Sequence, residues 1–136
     1  FVADRVPEDA APYRVIRDTI RYTYEFAETH PGLIAAALAD MSVIDGGDGG
    51  SVLMERFGNQ WTERFSAWKA QGLVAPHVDP EVVGHAMPGM IRQVGAHGAQ
   101  TDTDPDVTIN ALMAFVAAGL GIAPEKTHTQ AGDNPA

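Results

Sequence analysis

The sequence has 136 residues, 45% of them hydrophobic, and nine Lys and Arg against 18 Asp and Glu give it a formal charge of −9. That length suits one domain with a single core, and so acidic a chain lacks the concentrated basic face that direct phosphate binding needs. With no cysteine there is no disulfide, thiolate nucleophile or cysteine metal site, and no apolar run nears the ~20 residues that span a bilayer. No signal peptide is visible either, so a cytoplasmic protein without a membrane partner is expected.

Along the chain, residues 1–12 carry Pro7 and Pro12 and read as an irregular lead-in or the end of a linking helix. The opening Phe1-Val2-Ala3, without Met, reads as a fragment, a processed form or the ordered part of something longer. A first helix is expected over 13–29, with Tyr13, Ile16, Ile20, Tyr24 and Ala27 on one face and Tyr22 and Phe26 widening it. Arg14, Arg17 and Arg21 recur at helical spacing and form a solvated stripe. Pro31 opens a second helix over 31–44, where Leu33, Ile34, Ala37, Leu38 and Met41 make it apolar nearly all round and therefore buried.

Asp45-Gly46-Gly47-Asp48-Gly49-Gly50 reads as a flexible connection. It is no phosphate loop, because no Lys-Ser/Thr follows the glycines and no strand precedes them. A third helix over 51–71, capped by Ser51, carries Leu53, Phe57, Trp61, Phe65 and Trp68 as one stripe of large side chains. Gly72 suits the left-handed residue that ends such a helix. A fourth helix over 79–97 has Asp79 as N-cap, Pro80 at its first position and Glu81 near its positive end. Val83, Met87, Met90, Ile91 and Val94 lie along one side, and Pro88 should kink the helix.

Gly98 to Asp104 reads as a polar loop. Asp104-Pro105 opens a fifth helix to about Leu120, with Leu112, Phe115, Val116 and Gly119 inward and Gly119 and Gly121 as the stop. The apolar-poor tail, 123–136, reads as disordered. No strand pattern or internal repeat occurs. The expected fold is all-α, one helical domain over 13–122.

Four signals in this order resemble the C-terminal regulatory domain of TetR-family transcriptional repressors. They are Glu28-Thr29-His30-Pro31-Gly32-Leu33, the helix end Gln71-Gly72-Leu73-Val74, the start Asp79-Pro80-Glu81-Val82-Val83, and the close Ala118-Gly119-Leu120. The resemblance covers about 13–122; each motif recurs in other bundles, and their order and spacing carry it. It implies a five-helix orthogonal or antiparallel bundle that binds an inducer and dimerises. In the family a helix-turn-helix module ahead of this domain binds operator DNA. That module is missing from this chain, so any DNA contact is expected only through it.

By the same resemblance the ligand pocket lies among the first four helices. Tyr24, Met41, Met54, Phe57, Trp61, Phe65, Met87 and Met90 are the candidates to line it. Met adapts its shape, and Trp or Tyr offers one polar tip inside an apolar wall, which suits a small hydrophobic or aromatic effector. Against this, an aromatic and Met stripe at helical spacing is more often plain core. Pro88 either frees a carbonyl beside the pocket or only bends the helix around the core.

The last two helices are the candidate homodimer face. Gly84, Ala86, Gly89, Gly95, Ala111, Ala114, Ala117 and Ala118 are small enough for close approach, while Met90, Ile91, Val94, Leu112, Phe115 and Val116 can supply buried area. The resembled family pairs the corresponding helices as an isologous four-helix bundle. The plain alternative is that the small residues pack within one chain.

Catalytic and metal chemistry find no support. His77 and Asp79 are two apart in a loop, and His85 and His97 are twelve apart on different sides of a helix. No H-E-x-x-H occurs, and the single Glu-x-x-His, Glu125-Lys126-Thr127-His128, has no second copy with which to form a di-iron pair. Ser42, Ser51 and Ser66 have no nucleophile-elbow context. No enzyme activity, metal or cofactor is expected. The competing functions are a ligand-free helical dimerisation module with a fully packed core, and a haem carrier resting on His85 alone.

Overall fold

The computed structural model describes residues 11–32 and 48–124, and every regular element among them is helical. Four helices are described: α1 (Pro12–Thr29), α2 (Asp48–Ala70), α3 (Pro80–Gln100) and α4 (Pro105–Leu120). Pro31 and Gly32 are also helical, but the rest of the helix expected over 31–44, including Met41, lies outside the described residues. So do most of the lead-in, residues 45–47 of the glycine connection, and the tail beyond 124.

Local chemistry sets most of the boundaries. The Asp79 carboxylate accepts from the Glu81 and Val82 amides at 3.0 and 3.2 Å, and Asp104 accepts from Asp106 at 2.9 Å. Each cap is followed by a proline whose missing N–H costs nothing in the first turn. Three helices then end in the same two-bond way. Gly72 (φ 71°) donates to the Lys69 carbonyl at 3.0 Å and Leu73 to Trp68 at 2.8 Å. Gly121 (φ 64°) and Ile122 repeat the pattern on Ala118 and Ala117, while Asp102 (φ 53°) and Thr103 repeat it on Ala99 and Gly98.

Three expectations need correcting. Helix α2 begins at Asp48, so Ser51 is not its cap and Gly49 and Gly50 are helical. Only the first turn is affected, where backbone N–H groups need no intrahelical acceptor and glycine is tolerated. Helix α3 runs through Gly98, Ala99 and Gln100, shrinking the polar loop to 101–104. Pro88 lies within that helix without ending it.

The third correction concerns α4. Phe115 is 72% exposed and Gly119 is exposed, whereas Ile109, Leu112, Met113, Val116, Ala117 and Leu120 face the core. Helix α4 is apolar on nearly all sides, so periodicity alone could not say which side turns inward.

The core joins Val15, Ile16 and Ile20 of α1 to Trp61, Phe65 and Trp68 of α2, Met87 and Ile91 of α3, and the inner face of α4. Helix α2 packs mainly on α3, and α4 on α1 and α3. The α2–α3 connection is fastened beneath the end of α4: Ala75 donates to the Leu120 carbonyl at 2.8 Å, and His77 Nε2 lies 2.8 Å from the Gly119 carbonyl. Lys69 Nζ also donates to Val78 at 2.8 Å, satisfying a connector carbonyl from the last turn of α2. Each arginine of the α1 stripe meets an acid. Arg14 and Arg17 meet Asp18 at 3.5 and 3.1 Å, and Arg21 meets Asp106 on α4 at 2.9 Å.

Candidate functional site

The aromatic stripe of α2 divides along its length. Phe65 is fully buried, with Trp61 stacked on it at 5.8 Å between centroids and Trp68 meeting it edge-on at 5.3 Å. Such pairs add to an area term of about 1.5–3 kcal/mol for a fully buried aromatic side chain. Toward the N-terminus the same stripe emerges: Met54 is half-buried, Phe57 is 36% exposed and Leu53 is 38% exposed.

The other pocket candidates divide in the same way. Met87 is 1% exposed and belongs to the core, whereas Met90 is half-buried at its edge. Tyr24 of α1 is half-buried, and its hydroxyl donates to the Ile91 carbonyl at 3.1 Å. Burial raises that phenol above its ordinary value of 10.0, which keeps the donor protonated. Tyr24, Met54, Phe57 and Met90 are therefore the candidates with surface left to offer. Trp61, Phe65 and Met87 are already covered by their own chain.

Three glycines of α3, Gly84, Gly95 and Gly98, have partners within the chain. A Cβ at Gly84 would strike the Thr62 backbone of α2, and one at Gly95 would strike the Tyr24 ring. Gly98 lies against the Thr108 side chain of α4. Of the dimer candidates, Ile91, Leu112 and Val116 are buried in the monomer core and Val94 is half-buried. Gly89 has open space beside it, and Ala111 and Phe115 are exposed.

The outer face of α4 completes the picture, adding Val107 to Ala111, Ala114, Phe115 and Ala118, which were already among the dimer candidates. Val107, Ala111, Ala114, Phe115 and Ala118 are all exposed, with Val107 at 60%. At about 100° per residue they fall within one arc of α4, opposite its buried face. Their spacing of i, i+4, i+7, i+8 and i+11 was readable in the sequence; that the opposite face would be claimed by the core was not.

Among the described residues, no group of three or more His, Asp or Glu could hold a metal, and no helix is long and apolar enough to cross a membrane. Comparison of the chain with protein-family models, with curated proteins and with solved structures gives no match. The TetR resemblance rests on the four quoted signals alone.

Proposed function

We propose that this chain is the effector-binding and dimerisation domain of a TetR-like cytoplasmic transcriptional regulator. It takes a small hydrophobic or aromatic molecule and pairs with a second copy of itself. The observation that carries this reading is the outer face of α4. A helix whose inner side fills the core still presents Val107, Ala111, Ala114, Phe115 and Ala118 to solvent in one unbroken stripe. Monomers seldom leave such a face uncovered, and its small residues let a symmetry mate approach closely around one projecting ring. DNA contact would fall to a helix-turn-helix module of the kind the family carries. Effector binding would shift the helices that set the spacing of two such modules.

Sedimentation velocity tests the pairing. The expected result is a dimer at micromolar concentration that becomes a folded monomer in Phe115→Glu, with helical content unchanged. A wild-type monomer at that concentration, or a Phe115→Glu dimer, overturns the pairing.

A second reading has its own support. Trp61, Phe65 and Met87 are buried by the chain itself, as a ligand-free dimerisation module with a packed core requires. The exposed half of the α2 stripe favours the effector reading over this one.

A further inference from the structure

His85 lies between α2 and α3, one residue from Gly84, whose backbone meets that of Thr62. Its ring lies against the bare backbone of Gly58, where any Cβ would collide with the imidazole. Its Nδ1 is 2.9 Å from the Glu81 carbonyl one turn earlier on α3. The Thr62 hydroxyl of α2, 3.5 Å from Nδ1, donates its own hydrogen to the Gly58 carbonyl at 2.8 Å and so turns only lone pairs toward the ring. On the other side, Nε2 is 3.4 Å from the Glu55 carboxylate of α2.

Among the described residues, every protein group facing the two nitrogens is therefore an acceptor. A neutral imidazole has one N–H and one lone pair, so either tautomer sets a lone pair against an oxygen. With hydrogen on Nδ1 the conflict falls on Glu55; with hydrogen on Nε2 it falls on the Glu81 carbonyl. Water can reach the exposed Nε2, but only the imidazolium makes both protein contacts, to the Glu81 carbonyl and the Glu55 carboxylate, at once.

We propose that His85 is a proton-operated clasp between α2 and α3, closed when both ring nitrogens carry hydrogen and released when one is lost. The charged groups acting on it are carboxylates, Glu55 from α2 and Glu81 from its own helix. The hydrogen bond to the Glu81 carbonyl raises the imidazole above its ordinary value of 6.5; partial desolvation opposes the rise and Glu55 adds to it. A group raised in the folded state stabilises fully below its unfolded value and loses that contribution as pH climbs through the folded one. The clasp thus holds in mildly acidic solution and lets go on the alkaline side of 6.5.

The test is an NMR titration of the histidine ring nitrogens in the full chain, as wild type and as Glu55→Gln. The wild-type midpoint for His85 should lie above 6.5, with the Gly58 and Gly84 amides following the same curve. In Glu55→Gln the midpoint should fall. A wild-type midpoint at or below 6.5, or one indifferent to Glu55→Gln, overturns the clasp. Melting temperature supplies a second readout. Between about pH 6 and pH 9 the wild type should lose more than His85→Gln, and equal losses likewise overturn it.

Discussion

Phe57 and Phe65 occupy equivalent places two turns apart on one stripe of α2, yet Phe65 is 0% exposed and Phe57 36%. Sequence chemistry is the same at both; what differs is the neighbours. Phe65 sits between Trp61 and Trp68 in the cluster that also takes in Met87, Met113 and Leu120. Phe57 lies outside that cluster, next to the Gly58 contact with His85. A period of three to four residues identifies a stripe, but it cannot say how far along the helix the core extends.

The contrast can be tested by stability. Phe65→Ala should cost about 3–5 kcal/mol, because the cavity lies among rigid rings that cannot collapse into it. Denaturant unfolding measures this directly, and a cost near 1 kcal/mol would mean the two halves are not energetically distinct. Phe57→Ala should cost no more than about 1 kcal/mol, since much of that ring already meets solvent. A loss as large as that of Phe65→Ala would instead make the whole stripe core.

The ends of the elements were legible because their chemistry is local. Asp79-Pro80, Asp104-Pro105, Gly72 and Gly121 fix caps or stops through bonds that reach only two to five residues. Where tertiary contacts intervene, legibility fails. Gly98 reads as a helix breaker, but it packs on Thr108 and the helix continues to Gln100. The stop then falls to Asp102, an acidic residue in a left-handed conformation that sequence would sooner give to glycine or asparagine.

The candidate site was legible in kind more than in place. The small residues of α3 did signal close helix approach, and Gly84 and Gly95 realise it within the chain, against Thr62 and Tyr24. On α4 the large aromatic Phe115 suggested an inward side chain, but the inner face is formed by Leu112, Met113 and Val116. An all-apolar helix gives no polar face from which to read orientation. The His85 clasp was hidden for a related reason. Glu55, Gly58, Thr62 and Glu81 come together only once α2 and α3 are paired, and no spacing within either helix announces them.

The most direct test of an effector-binding domain uses the half of α2 that the core leaves free. Thermal unfolding should be followed with a panel of neutral fused-ring aromatic compounds, on the wild type and on Phe57→Ala. At a hundredfold excess over its dissociation constant a bound compound adds about 2.7 kcal/mol to stability, a shift of several degrees. The expected result is at least one compound that raises the wild-type Tm and loses that effect in Phe57→Ala, while the unliganded variant stays folded. If no compound raises the wild-type Tm, or the rise survives intact in Phe57→Ala, the exposed aromatic half of α2 is not an effector wall and the packed dimerisation module stands in its place.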